Sequence, residues 1–253
     1  MTLIRTETRG RVGILTFDDP EKRNAITLAM NDEIVAAIQA WESNPEIGAL
    51  VFTGASPAFC AGANLDDLLS EPDPNGMKRI YEGFLRIAHT SLPTIAAVNG
   101  AAVGAGLNMV LAADVVIAAR DHARFDSRFL QIGLHPGGGH TWRLRSITGR
   151  QTTMAMVLFG EVIRSEEAHR LGLVWRVVDD ADLIDEAVAL AEVAAGQDKE
   201  LVARTKATIL SLDEVTESNQ AVDHELHPQL WSMQQGTFRS LVERLQRKIS
   251  SHD

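Results

Sequence analysis

The chain has a single cysteine, Cys60, among 253 residues, so it cannot form an intrachain disulfide bond. No apolar run approaches the roughly 20 residues that cross a bilayer, and residues 1–7 lack the apolar core of a secretion signal. Acidic residues outnumber basic ones by 34 to 24, and the net charge of -10 disfavours a general nucleic-acid surface. We therefore expect a cytoplasmic protein that binds neither nucleic acid nor a membrane.

Several common catalytic motifs are also missing from the sequence. The eight histidines are scattered without metal-ligand spacing, so we expect no metal site. The serine hydrolase motif G-x-S-x-G is absent. The glycines between Gly100 and Gly106 match neither a dinucleotide-binding loop nor a phosphate-binding loop. Cys60 has no histidine or other base nearby in the sequence, which favours a role as small apolar filling over a role as nucleophile.

The most informative segment that is present comprises residues 57–66. It lies between a predicted buried strand, residues 48–53, and a predicted helix, residues 65–70. Its small residues leave backbone N–H groups accessible, and such groups can bind an anion or a developing oxyanion. The alternative is an ordinary turn in which small residues only permit close packing.

A second segment of the same type favours the functional interpretation. A predicted strand, residues 94–98, leads into the small-residue stretch 99–106, from which a predicted helix continues to Ala113. A tetrahedral or enolate oxyanion needs two N–H donors. The sequence thus predicts two strand–loop–helix units, each able to direct backbone N–H groups at one point.

The remaining pattern predicts alternating strands and helices, followed by helices. Strands are predicted over residues 2–8 and 12–17, and a helix capped by Thr27 is predicted to run to Trp41. After a second glycine-rich loop, residues 133–140, the pattern predicts mainly helices. These cover residues 151–159, 165–171, 183–194, 199–210, 213–234 and 237–248.

A series of short motifs follows one order and spacing along the chain. They occupy residues 20–25, 52–54, 58–65, 93–100, 104–114, 123–125, 133–134 and 136–139. Together they resemble the crotonase family, the enoyl-CoA hydratase/isomerase superfamily, over most of the chain from about Val12 to Val178.

The resemblance implies an α/β fold, a crotonase-like spiral of stacked ββα units with a C-terminal helical trimerisation region. Residues 1–195 would form the core with the acyl-CoA site, and residues 196–253 the helical extension of the same structural domain. It also implies an acyl-CoA thioester as ligand, no cofactor beyond that coenzyme A, and a homo-oligomer, either a trimer or a dimer of trimers. Candidates for the trimer contact are Trp231, Met233, Phe238 and Leu241.

By motif position, the backbone N–H groups of Ala63 and Ala105 would hold the thioester carbonyl, so that the α-carbon can lose or gain a proton through an enolate. Five residues lie where similar proteins contact the CoA moiety, largely through backbone atoms: Arg23, Ala25, Ala61, Asn64 and Leu65. For Arg23 a solvated loop charge is the alternative.

The sequence departs from the family at the two positions where its hydratases carry glutamates. The first position, two residues after the glycine motif, is Asn108, and the second, seven residues before Pro136, is Phe129. An amide can orient a water molecule but cannot exchange a proton near pH 7, and a phenyl ring can do neither. We therefore expect standard hydration of an enoyl-CoA to be disfavoured.

Other residues could supply the acid–base chemistry. The candidates are Asp66, Asp67, Asp126, His135 and His140. We favour His135, because it precedes Pro136 in the glycine-rich loop and histidine titrates in the useful range. A surface or structural role is the alternative for His135, and a first-turn helix charge is the alternative for Asp66 and Asp67.

These observations favour an acyl-CoA lyase or isomerase of this family that stabilises an enolate, with Arg128 available to pair with an anionic acyl group. A non-catalytic acyl-CoA-binding protein is the alternative, motivated by Asn108 and Phe129 together. A structural or interaction protein built on the same fold is a third hypothesis, which the two glycine-containing loops disfavour.

Overall fold

The computed structural model of the chain describes residues 2–70 and 73–250, so residues 251–253 of the expected extension lie outside the described residues. The chain divides into two units, one that extends to Gly196 and one that begins at Gln197. No helix within the described ranges is long and apolar enough to cross a membrane.

The strands of the described residues form two sheets in the first unit. They are β1 (Ile4–Arg9), β2 (Val12–Phe17), β3 (Ala49–Gly54), β4 (Ala58–Cys60), β5 (Thr94–Val98), β6 (Ala101–Val103), β7 (Val115–Ala119), β8 (Arg124–Asp126), β9 (Ile163–Arg164) and β10 (Arg176–Val178). The larger sheet has the order β1-β2-β3-β5-β7-β10, and the smaller has the order β4-β6-β8-β9.

The larger sheet is parallel except at one edge, where β1 pairs with β2 in antiparallel fashion. Every residue of β3 and β5 is buried. This burial explains why these strands are continuous apolar runs without the alternation of a half-exposed strand. The edge strand β1 has mainly exposed side chains.

The two sheets are linked by a repeated order of elements. Strands β3, β5 and β7 of the larger sheet are each followed by β4, β6 and β8 of the smaller sheet, and then by helix. Strands β4, β6 and β8 are parallel neighbours, so their carboxyl ends meet along one edge. The loops that follow these three strands therefore lie side by side.

Seven α-helices of the described residues belong to the first unit and three to the second. They are α1 (Leu28–Ser43), α2 (Leu65–Ser70), α3 (Pro74–His89), α4 (Ala105–Ala112), α5 (His140–Leu158), α6 (Ser165–Arg170), α7 (Leu183–Ala195), α8 (Lys199–Ser211), α9 (Ser218–Met233) and α10 (Gly236–Ser250). The predicted cap of α1 is confirmed, because the side chain of Thr27 accepts a hydrogen bond from the N–H of Met30.

Helix α5 begins earlier than the sequence pattern predicts. We expected a helix from residue 151, whereas α5 begins at His140 and is interrupted at Gly149, which has φ 79° and ψ 174°. Glycine has low helix propensity, and Gly139 and Gly149 therefore conceal the first half of this helix in the sequence.

A close contact holds α4 against β4. A Cβ atom built on Gly106 would lie 2.2 Å from the carbonyl oxygen of Cys60 and 2.8 Å from its Cβ. No other amino acid has the shape to fit this position without a shift of the backbone. Because Gly106 is in the first turn of α4, the contact fixes the start of this helix beside the end of β4.

We expect the substitution Gly106→Ala to lower the free energy of unfolding by about 1–3 kcal/mol, since the added methyl group must displace the Cys60 backbone. Urea unfolding followed by circular dichroism measures this change. A matched control is Gly236→Ala, where an added Cβ meets nothing within 4 Å. Equal stability of Gly106→Ala and the wild-type protein would show that the contact is not tight.

Candidate active site

A cavity of about 560 Å³ opens at the edge where the loops after β4, β6 and β8 meet. Residues of five of the motif regions line it, together with residues of α3. The lining includes Ala25, Ala61–Asp66, Ile80, Tyr81, Phe84, Val103–Ala105, Asn108, Ser127–Phe129, Leu134, His135 and Gly137. Its walls are mainly apolar, which is typical of a site for a small organic ligand.

The loop after β4 brings the N–H of Ala63 to this cavity. Gly62 has φ 115°, a conformation that favours glycine. On one side the loop pairs with Ile26, whose N–H donates to the Gly62 carbonyl at 2.8 Å and whose carbonyl accepts from the Asn64 N–H at 2.7 Å. In the described part of the chain, the N–H of Ala63 between them donates to no other group.

The loop after β6 brings a second N–H to the same cavity. Gly104 has φ 52°, and its N–H donates to the carbonyl of Asp126 at 2.9 Å. Helix α4 begins at the next residue, Ala105. The first N–H groups of a helix have no partner inside the helix and carry its positive end. Ala63 and Ala105 thus border one cavity with backbone donors, an arrangement suited to an anion or an oxyanion.

Four of the five residues expected to contact the CoA moiety line the cavity, and the fifth, Arg23, does not. Ala25, Ala61, Asn64 and Leu65 line the cavity. The exposed side chain of Arg23 is not part of the lining, and the Arg23 carbonyl accepts a hydrogen bond from the Ala61 N–H at 3.0 Å. The neighbouring Lys22, which the sequence analysis did not single out, lines the cavity instead.

Asn108 lies buried in the cavity wall and is held on both sides. Its Nδ2 donates to the carbonyl of Gly137 at 3.2 Å, and its Oδ1 lies 2.8 Å from Nδ1 of His140. Nε2 of His140 lies 2.8 Å from Oγ of Ser127. Since the amide oxygen can only accept, Nδ1 of His140 carries the proton, and Nε2 accepts from the Ser127 hydroxyl.

His140 is neutral in this environment. The side chains of Asn108, Ser127 and His140 are all buried, and the Phe129 ring meets the imidazole edge-on at 4.8 Å between centroids. Burial lowers the pKa of His140 from 6.5 to about 4. The ring is therefore an uncharged base at neutral pH.

The other acid–base candidates have different surroundings. His135 lines the cavity and is exposed, and its Nδ1 bonds the carbonyl of Pro136 at 2.7 Å. Asp66 also lines the cavity. Asp67 instead accepts a hydrogen bond from the N–H of Leu28, at the start of α1.

Asp126 and Cys60 are occupied by structural contacts. The buried Asp126 forms an ion pair with Arg128, so the Arg128 guanidinium already has an anionic partner within the chain. Cys60 is fully buried, and burial raises the pKa of its thiol to about 12. This agrees with the interpretation of Cys60 as filling, because a thiol rather than a thiolate is present at neutral pH.

Ser127 is a further cavity residue that the sequence did not indicate, and it contacts His140. The signal for it is positional: Ser127 directly follows β8, as Gly104 directly follows β6. In the parallel pairing of these strands Val103 is opposite Asp126. This register places Ser127 beside Gly104. The register depends on the pairing of β6 with β8, so neither strand's sequence alone predicts it.

Comparisons with known proteins agree with this architecture. A family model described as enoyl-CoA hydratase/isomerase matches residues 7–250. The chain is 44% identical over 246 residues to the probable enoyl-CoA hydratase EchA14 of Mycobacterium tuberculosis (strain ATCC 25618 / H37Rv), with 94% of each protein covered. It is 37% identical over 206 residues to the 1,2-epoxyphenylacetyl-CoA isomerase of Escherichia coli (strain K12), with 78% of each covered.

Solved structures show the same fold. A crystal structure of an enoyl-CoA hydratase from Polaromonas sp. JS666 matches with a TM-score of 0.88 and 30% identity, and 97% of each chain is covered. An enoyl-CoA hydratase from Mycobacterium smegmatis matches with a TM-score of 0.89 and 27% identity over 98% of this chain and 97% of that one. This chain, with its two mixed sheets and C-terminal helices, therefore has the α/β crotonase fold. The chain belongs to the enoyl-CoA hydratase/isomerase family.

The pKa of His140 predicts a loss of stability in acid. The unfolded imidazole binds a proton near pH 6.5, whereas the folded one binds it only near pH 4. The unfolded state holds more protons between these values, so the free energy of unfolding falls as the pH is lowered through them. The shift corresponds to a loss of about 3 kcal/mol.

Urea unfolding from pH 7 to pH 4 measures this loss. The variant His140→Gln, which cannot titrate there, should lose correspondingly less stability over the range. The control His135→Gln changes an exposed ring and should keep the wild-type slope. A wild-type slope in His140→Gln would contradict the assignment.

Proposed function

We propose that the protein binds an acyl-CoA thioester in this cavity, with the thioester carbonyl oxygen between the N–H groups of Ala63 and Ala105. The observation that carries the proposal is that these two donors border one mainly apolar cavity. Donors of this kind stabilise the negative charge that develops on the oxygen of an enolate. Family membership and the relatives' names, which refer to enoyl-CoA and to an acyl-CoA isomerase, support the ligand class.

In this proposal the CoA moiety runs along the entrance formed by the loop after β4. Ala25, Ala61, Asn64 and Leu65 offer backbone atoms there, and the Asn64 side chain is already used to cap α2 through the N–H groups of Asp66 and Asp67. The exposed cations Lys22 and Arg23 lie at the same end and are suited to phosphate groups.

The proposed reaction class is lyase or isomerase chemistry through the enolate. Hydration by a pair of carboxylates is disfavoured, because the cavity wall carries Asn108 and Phe129. His135 and Asp66 are the proposed proton-transferring residues, because both are titratable and line the cavity. With its Nδ1 bound to the Pro136 carbonyl, His135 presents Nε2 for exchange.

We also propose that the second unit forms the contact between subunits of a trimer or a dimer of trimers. Helices α8, α9 and α10 contain no buried residue. Met233, Phe238 and Leu241 are each between 41% and 50% exposed, whereas apolar side chains of this size are usually buried. Trp231 lies under the guanidinium of Arg204 at 4.2 Å. Association of subunits would cover this surface.

The variant Ala105→Pro tests the role of the N–H pair. Proline removes the N–H of Ala105, and it is tolerated at the first position of a helix. We expect exchange of the α-protons of butyryl-CoA with D2O, followed by mass spectrometry, to slow by about 10²–10³-fold. The control Ser218→Pro makes the same change at the first position of α9 and should leave the rate unchanged.

Calorimetric titration of the wild-type protein with butyryl-CoA completes the test. Binding without any exchange would favour the non-catalytic acyl-CoA-binding alternative. Exchange that is equally fast in Ala105→Pro would refute the proposed oxyanion hole.

A further inference from the structure

We propose that Ser127, His140 and Asn108 form a nucleophilic triad that hydrolyses an acyl-CoA thioester through an acyl-serine intermediate. This activity goes beyond enolate chemistry, and it rests on the proposed function only for the ligand class and the two N–H donors. The three residues come from separate elements: the loop after β8, helix α5 and helix α4.

The contacts among the three side chains are those of an activated serine. The Ser127 hydroxyl donates to Nε2 of His140 at 2.8 Å, and Nδ1 of His140 donates to Oδ1 of Asn108 at 2.8 Å. The Asn108 amide is oriented in turn by the Gly137 carbonyl. A nucleophile within reach of a base, with the base oriented by a third group, is the signature of covalent catalysis, and asparagine fills the third position in some triads.

The base is in the required protonation state. An imidazole can accept the serine proton only when it is neutral, and burial keeps His140 neutral well below pH 7. Asn108 is also buried, so the proton on Nδ1 has a fixed acceptor and the tautomer is set. Ser127 is 1% exposed and is one of the residues that line the cavity.

The serine also lies beside one of the two proposed oxyanion donors. The Gly104 N–H donates to the carbonyl of Asp126, the residue before Ser127. A Cβ built on Gly104 would lie 4.0 Å from the Ser127 carbonyl oxygen. Ala105, the proposed donor, directly follows Gly104. A thioester carbonyl bound at the Ala105 N–H would be within the neighbourhood of the Ser127 hydroxyl. When that hydroxyl attacks the carbonyl carbon, the negative charge develops on the oxygen that the Ala105 N–H already binds.

The reaction balances with water as co-reactant. In the first half, Ser127 Oγ forms a bond to the thioester carbonyl carbon while His140 takes the hydroxyl proton. The carbon–sulfur bond then breaks, and His140 returns that proton to the leaving CoA thiolate. In the second half, water attacks the acyl ester, His140 takes a proton from the water, and the proton passes to Ser127 as the ester bond breaks. The products are a free carboxylic acid and CoA thiol.

Three variants of the 253-residue chain test the triad through the release of CoA thiol from butyryl-CoA. Ser127→Ala and His140→Gln should each lower the rate of release by about 10³-fold or more. The matched control Ser165→Ala removes another buried serine hydroxyl, which bonds the Ala119 carbonyl away from the cavity, and should keep the wild-type rate.

Asn108 acts as a positioning residue, and its variants separate this role from packing. Asn108→Leu should lower kcat with little change in KM, because the imidazole loses its orientation. Asn108→Asp, which keeps an acceptor for Nδ1, should restore kcat. A loss in Asn108→Leu that Asn108→Asp does not restore would count against the positioning role.

A further test uses the wild-type protein and so does not depend on whether a variant folds. The protein is labelled with a fluorophosphonate, and peptide mass spectrometry identifies the modified residue. Modification of Ser127 supports the proposal, and modification only elsewhere, or none, overturns it. Wild-type protein that exchanges α-protons without releasing thiol would overturn the triad and leave the proposed function intact. If Ser127→Ala still exchanges α-protons but no longer releases CoA thiol, the triad is supported. If the folded Ser127→Ala variant loses both α-proton exchange and thiol release, Ser127 has a structural role and the triad is refuted.

Discussion

The site depends on the direct contact between α4 and β4. A side chain at Gly106 would collide with the Cys60 backbone, so this position keeps the helix and the strand at their closest distance. The start of α4 therefore lies beside the loop that follows β4. Gly62 and Gly104, both with positive φ, then turn the two loops toward one cavity. The pair of donors at Ala63 and Ala105 is thus a consequence of backbone packing, and no side chain is needed to create it.

A chain of buried polar groups forms another wall of the same cavity. Asn108, Ser127 and His140 are each at most 3% exposed, and a buried polar group without a partner costs about 1–3 kcal/mol. Each of the three finds its partner in another, with the Gly137 carbonyl completing the set. Because of these hydrogen bonds, the neutral imidazole of His140 can be buried in a mainly apolar wall with both ring nitrogens paired. The same bonds connect α4, α5 and the loop after β8 along this wall of the cavity.

The features that were predictable from the sequence are local ones. The apolar runs of β3 and β5, the cap at Thr27 and the two small-residue loops each follow from a short stretch of chain. A common site for Ala63 and Ala105 was also expected, from the two strand–loop–helix units and from the family resemblance, and both residues line the same cavity.

Features that depend on long-range pairing were not predictable. Ser127 became part of the site through the register of β6 and β8, and no local pattern specifies that register. The alignment of His140 with Asn108 depends in addition on the start of α5, which neighbouring glycines conceal. Asp67 was a candidate for acid–base chemistry, with a first-turn helix charge as the alternative, and its carboxylate accepts a hydrogen bond from the N–H of Leu28 at the start of α1.

One pair of N–H donors can serve two reactions, because an enolate and a tetrahedral intermediate both place negative charge on the former carbonyl oxygen. The position of the proton acceptor decides between them. Nε2 of His140 is hydrogen-bonded to the Ser127 hydroxyl, so this base is placed to act on the serine and on groups that react at the carbonyl carbon. In the proposed function, proton transfer at the α-carbon is assigned to a separate group, His135 or Asp66, both of which line the cavity. The two proposed chemistries thus draw on different side chains around the same pair of N–H groups, so a substitution can be chosen that removes one and leaves the other.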